Sequence, residues 1–167
     1  MSNDFVAILM GSDSDLPLVN NTLEVLNKFN VKYEVKITSA HRTPEVTKNY
    51  VKDAEARGCK VFICAAGLAA HLAGAVAAMT VKPVIGIPVD CGPLNGVDAL
   101  YSTVQMPGGI PVATVAVGKA GAKIAAYLAA QIMALADKDL DERVKANRVK
   151  ACEEVIEKDR KLQEKLK

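Results

Sequence analysis

Ser39-Ala40-His41-Arg42-Thr43-Pro44 separates two stretches of different periodicity, and that change of period decides the fold. Before it, Val31, Tyr33, Val35 and Ile37 alternate with other residues, the pattern of a half-buried strand. After it, Val46, Tyr50 and Ala54 recur at helical spacing, with Thr43 at the N-cap position, Pro44 as the first helical residue and Gly58 as the stop. A strand running through a short segment into a helix is half of a βαβ unit, and the segment falls where open α/β sheets place their ligands. His41 and Arg42 occupy that position, a group that titrates near neutrality beside a permanent cation.

The pattern repeats outward from this segment. Phe5 to Met10 is an unbroken apolar run, as expected of a central parallel strand buried on both faces. Gly11-Ser12-Asp13-Ser14-Asp15 forms a polar turn into a helix carrying Leu16, Val19, Leu23 and Leu26. Lys60 to Cys64 is a third strand, and the small-residue loop Ala65 to Gly74 leads from it into a helix ending near Met79. Pro83 to Pro88 is a fourth strand, followed by irregular chain at Asp90 to Leu94 and a short helix over Gly96 to Gln105. After a turn at Met106-Pro107-Gly108-Gly109, Ile110 to Val117 reads as a fifth strand. Ala120 to Ala136 is a helix apolar nearly all round, which implies burial against a partner as well as its own sheet. The alternation predicts an α/β protein, a three-layer doubly wound parallel sheet of flavodoxin-like order.

The predicted organisation is a single catalytic domain over residues 1–136 and a charged helical extension of it over residues 137–167. In the extension Leu140, Val144, Val149, Ile156 and Leu162 leave an irregular apolar stripe, either on a solvated tail or on an arm lying across a neighbouring subunit. The arm is favoured because such a stripe needs something to bury itself against.

Composition narrows the function. Half of the 167 residues are hydrophobic, yet aromatics are only 4% and Trp is absent, so the core is built from Ala, Val, Ile and Leu. A net charge of +2 is too small to suggest a nucleic-acid surface, and there is no basic cluster interleaved with aromatics. The run from Val61 to Val81 approaches membrane-spanning length, but it is mostly Ala and Gly, holds His71 and flows into Lys82-Pro83; a strand, loop and helix account for it without a membrane. Phe5 to Met10 is too short for a signal sequence, and four cysteines without CxxC spacing suit reduced thiols in a cytoplasm. Those cysteines and two histidines offer no zinc spacing, so no metal is expected, and no Gly-x-Ser-x-Gly elbow is present.

Three loops carry the candidate chemistry. Ser12, Ser14 and Asp15 offer hydroxyls, backbone N–H groups and a carboxylate at a helix start; this suits a ribose or phosphate, and equally suits simple helix capping. Arg42 suits a phosphate, the alternative being a surface ion pair. His41 suits general acid–base work, since the histidine side chain titrates near neutrality. Both histidines fall in loops after predicted strands, which favours function over an incidental surface role. His71, set among Ala and Gly, is either a ligand contact or a histidine whose hydrogen bonds shape its loop, and the second is favoured because buried polar groups usually find partners.

Taken together these stretches closely resemble the class I N5-carboxyaminoimidazole ribonucleotide mutases of purine biosynthesis. The resemblance rests on Met10 to Asp15, Ser39 to Pro44, Ala69-Ala70-His71-Leu72, Pro83 to Val89 and Gly96 to Gly118 with its Ser102-Thr103-Val104-Gln105-Met106-Pro107, in that order. It implies an enzyme that moves a carboxylate from the exocyclic N-5 to ring carbon C-4 of an aminoimidazole ribonucleotide. It also implies no organic cofactor or metal, a flavodoxin-like octamer with sites at subunit contacts, and a functional link to an ATP-dependent synthase that makes the substrate. By motif position it implies His41 as the acid–base, Ser12, Asp15 and Arg42 as ribonucleotide ligands, and Ser14, Ser39, Ala40 and Gly67 as further contacts. Ala66 to Leu72, including His71, is similar to the loop that closes round the imidazole. Arg42-Thr43-Pro44 and Ala69-Ala70-His71 set the chain apart from class II relatives that carboxylate with carbon dioxide directly. Leu68 and Ala73 replace a glycine and a proline of the family pattern, and Asp90-Cys91-Gly92-Pro93 is atypical, so an altered loop flexibility is expected.

Overall fold

Six consecutive apolar residues, Phe5–Met10, form the interior strand β1, and all six are buried. The computed structural model describes residues 4–166. The outermost residues of the two predicted spans, 1–3 and 167, lie outside the described residues. A single 3-10 turn at Asp13–Asp15 leads into α1 (Leu16–Lys28), β2 (Tyr33–Ile37) and α2 (Pro44–Arg57). Then come β3 (Cys59–Ala66), α3 (Leu72–Ala77), β4 (Val84–Pro88), α4 (Val97–Val104), β5 (Ala113–Thr114), α5 (Gly118–Ala134) and α6 (Lys138–Lys165).

The strands form one parallel sheet in the order β2-β1-β3-β4-β5. This is the flavodoxin-like order, and its switch point lies between β1 and β3. Alternation along β1 divides the core. Val6, Ile8 and Met10 pack with Val19 and Leu26 of α1 and Ala122, Ala125 and Ala129 of α5. Ala7 and Leu9 pack with Val51 and Ala54 of α2 and Leu72 and Val76 of α3. The alanines of α5 let that helix lie close to its neighbours, and the buried Thr22 hydroxyl donates to the Ala122 carbonyl at 2.8 Å. Gly58, at φ 107°, ends α2 in the left-handed conformation that suits glycine.

Two expectations change, those for the fifth and second strands. The fifth strand shrinks from eight residues to Ala113–Thr114: Pro111 has no N–H to offer the ladder at its start, and at its end Val117 already caps α5. Val115 N still bonds the Gly86 carbonyl at 3.1 Å. Strand β2 is an edge strand, and Val35 and Ile37, expected to be half-buried, are 38% and 51% exposed. Thr43 occupies the N-cap position of α2, but its hydroxyl makes no capping bond. The charged extension is one helix, α6, in which Leu140 is buried and Val144 packs on the core, while Val149, Ile156 and Leu162 are exposed. Among the described residues no helix is long and apolar enough to cross a membrane.

Candidate active site

The loops that follow β1, β2 and β3 converge at the carboxyl ends of the strands, next to the switch point. They enclose an open cavity of about 400 Å³. Ser12, Ser14, Asp15, Ser39, Ala40, His41, Arg42, Ala66, Gly67, His71 and Leu72 all line it, so every predicted site residue is in one place. Gly11, Leu68, Ala69 and Cys91 complete the wall.

Hydroxyl groups fix the crossover that carries His41. The Thr43 hydroxyl turns back to accept from Ser39 N at 2.9 Å, and Thr43 N donates to the Ser39 carbonyl at 2.9 Å. Thr38 and Thr47, both buried, share a hydrogen bond of 2.7 Å beneath the loop. The Thr47 hydroxyl also lies 3.1 Å from the Thr43 carbonyl, and Thr38 Oγ1 lies 3.1 Å from Thr43 Oγ1. This chain of bonds occupies the side chain that local pattern assigns to the helix cap, and it holds a tight turn with His41 and Arg42 exposed at its outer side.

Arg42 bridges two loops. Its Nη2 donates to the Gly11 carbonyl at 3.0 Å and its backbone N to Ser39 Oγ at 3.2 Å. The carbonyl contact engages only part of the guanidinium's donor set, and the cation stands at the mouth of the cavity. Across from it, Ser12 and Asp15 form a reciprocal capping box, with Ser12 N donating to Asp15 Oδ2 at 3.2 Å and Ser14 N to Ser12 Oγ at 3.2 Å. Burial holds the Asp15 carboxyl above the usual carboxylate range, outweighing the backbone N–H groups of Ser12 and Gly11 that pull it down. Capping and cavity lining therefore coincide in the same residues.

The two histidines meet. His41 Nε2 lies 2.8 Å from His71 Nδ1, with ring centroids 4.9 Å apart and planes at 70°. One nitrogen donates and the other accepts, according to tautomer. His71 is held by a loop that α4 anchors: Ala70 N donates to Ser102 Oγ at 3.0 Å, and Ser102 Oγ donates to the Asp98 carbonyl at 2.6 Å. Ala73, at the start of α3, is 2% exposed and packs into the sheet near Gly86.

Thr38, Thr47 and Cys91 escaped local reading. The threonine spacing across the crossover was a usable signal; Cys91 had none, because its place in the cavity depends on the strand after β3. The β3 thiols are poor nucleophiles, since burial pushes Cys59 up to about 11 and Cys64 up as well. All four cysteines are free. No group of three or more metal-ligating side chains occurs among the described residues. A second, larger groove of about 640 Å³ beside Phe5 and Tyr33 is less suited to catalysis, because its Glu34 and Arg57 are already paired with each other.

Known proteins share both sequence and shape with the chain. The AIR carboxylase family model matches residues 5–154. The chain is 49% identical over 159 residues to the N5-carboxyaminoimidazole ribonucleotide mutase of Thermotoga maritima, covering 95% of this chain and 92% of that one. It is 50% identical over 152 residues to the protein of the same name from Escherichia coli K12, covering 91% and 90%. The crystal structure of Treponema denticola PurE superposes with a TM-score of 0.87 at 35% identity, covering 95% of this chain and 98% of that one.

Proposed function

The chain belongs to the AIR carboxylase family, and we propose that it is an N5-carboxyaminoimidazole ribonucleotide mutase, moving the carboxylate from N-5 to C-4 in purine biosynthesis. The observation that carries this reading is the placement of His41, exposed on the cavity wall between Arg42 and His71. Arg42 takes the phosphate by charge-assisted bonds, while Ser12 and Asp15 take the ribose end, with Ser14, Ser39, Ala40 and Gly67 as further contacts.

Protonated His41 donates to N-5 as the N–C bond breaks. The bond electrons stay on N-5 and carbon dioxide is released into the cavity. Ring carbon C-4 attacks it, pushed by the N-5 lone pair, and neutral His41 removes the C-4 proton. The histidine ends as it began. Carbon dioxide carries no charge to grip, so its retention falls to the apolar wall formed by Ala66, Gly67, Leu68 and Ala69.

Around this chemistry we place a homo-octamer with sites at subunit contacts, α6 as an arm across a neighbour, and a cytoplasmic setting. An ATP-dependent synthase supplies the substrate. The exposed Val35 and Ile37 of the edge strand and the uncovered stripe of α6 support assembly.

Purified protein given N5-carboxyaminoimidazole ribonucleotide without ATP should consume it and form the 4-carboxy product. Product formed only from aminoimidazole ribonucleotide and bicarbonate, with the N5-carboxylated compound unused, would replace this reading with the direct carboxylase.

A further inference from the structure

Two loops on the cavity wall are interlocked by side chains seated on glycines. A Cβ at Gly67 would overlap the Cys91 thiol, and a Cβ at Gly92 would stand 2.5 Å from Leu68 Cδ2. The loop after β3 thus yields space at Gly67 to the loop after β4, which yields space at Gly92 in return. The contacts adjoin in sequence on both sides and run in opposite directions, so sliding one loop past the other breaks both.

Leu68 adopts φ 56°, a left-handed conformation that a residue with a side chain avoids. Burial in the core does not hold it there, because Leu68 is 51% exposed. It is held by the Gly92 socket and by Ser102 Oγ, which lies 3.3 Å from the Leu68 carbonyl and accepts from Ala70 N at 3.0 Å. Three residues on, the same loop delivers His71 to His41. Two of the three places where the chain departs from its family pattern, Leu68 and the Asp90 to Pro93 stretch, therefore meet in one contact, while Ala73 packs apart from them near Gly86.

We propose that Leu68 and Cys91 are positioning residues, whose reciprocal seating on Gly92 and Gly67 closes the cavity wall and holds His71 against His41. The kinetic consequences rest on the mutase reading above; the geometric ones do not. A glycine at position 68 would relax the backbone and remove the plug together. If Leu68 were only a strained surface residue, that change would stabilise the protein and leave the site untouched.

The test uses the full chain as wild type, Leu68→Gly, Leu68→Met, Gly92→Ala and the Leu68→Gly/Gly92→Ala double variant. Two readouts are taken: 15N imidazole spectra of the ligand-free protein, and the ratio of aminoimidazole ribonucleotide to 4-carboxy product formed from the N5-carboxylated substrate, corrected for enzyme-free breakdown. Leu68→Gly and Gly92→Ala should each lose the His41–His71 hydrogen-bond signature and lower kcat roughly tenfold with little change in KM, as expected when a reacting group is misplaced. Both should raise the escape ratio, since a loosened wall lets carbon dioxide out. Leu68→Met, which can refill the socket, should restore the signature, and Gly92→Ala, strained in any background at φ 74°, should change the spectra less in the Leu68→Gly background than in wild type. Unchanged spectra and escape ratio in Leu68→Gly, or additive effects in the double variant, would overturn the proposal. If Gly92→Ala does not fold, the contrast between Leu68→Gly and Leu68→Met decides. A wild type without mutase turnover would sink the functional reading, while the spectra would still decide the interlock.

Discussion

His41 Nε2 and His71 Nδ1, contributed by the loops after β2 and β3, stand 2.8 Å apart. The pairing gives the acid–base candidate a fixed partner and orients its ring before substrate arrives. His41→Asn should lower kcat by about 10²–10⁴-fold, the usual contribution of a positioned acid–base, with folding intact because the side chain is exposed. His71→Ala should cost roughly tenfold in kcat, and His71→Asn less, because an Asn amide atom reaches the Nδ1 position. Steady-state assays on the three variants check this, and near-normal turnover by His41→Asn would remove the assignment.

Arg42 ties the crossover to the Gly11 carbonyl, and the function proposed above gives its remaining donors to the substrate phosphate. Charge-assisted bonds contribute about 1.5–3 kcal/mol each, so Arg42→Ala should raise KM roughly 10- to 100-fold while kcat changes far less. Lysine keeps the charge but loses the fork and should fall between. A drop in kcat at unchanged KM would place Arg42 in the chemical step.

Asp15, proposed above to contact the ribose, carries a stability cost from its burial. Its folded-state value is raised by burial, so the native protein holds the proton more tightly than the unfolded chain does. The sign follows: stability falls as pH rises from the unfolded value through the folded one, and the penalty is complete above the folded value. Asp15→Asn removes the charge and should melt higher than wild type at neutral pH, with the difference vanishing in acid. The same variant should raise KM at least tenfold, the equivalent of about 1.5 kcal/mol from a lost charged hydrogen bond. Thermal melts across pH, paired with KM, check both halves; a lower neutral-pH melt would contradict the burial argument.

The helix α6 has two parts. Leu140 is buried, Val144 packs on the core, and Arg143 Nε donates to the Phe29 carbonyl at 3.0 Å. Beyond Asn147 the helix buries no side chain in its own chain, and Val155, Ile156 and Leu162 are 65%, 64% and 52% exposed. Deleting residues 148–167 should therefore leave the protein folded but shift it to smaller species in sedimentation velocity. An unchanged sedimentation coefficient, after allowance for mass, would mean that the arm bridges no subunits.

Much of this was legible in the chain itself. Periodicity placed the sheet and the three loops, because a buried strand and an amphipathic helix each impose a local spacing that the sequence must display. The reading overextended β5, where Pro111 breaks the ladder at an edge; it placed Thr43 correctly at the N-cap position, but the partners of the Thr43 hydroxyl, Ser39 and Thr38, lie outside any local pattern.

By itself, then, the sequence determined which residue types stand after which strand, and so which chemistry the sheet edge can perform. Only the tertiary structure decided how those residues are paired. His41 and His71 are thirty positions apart, and Leu68 meets Gly92, while Gly67 meets Cys91, across two separate strands. Contacts of this kind depend on strand order and on the space a missing Cβ leaves, neither of which is written in any local spacing.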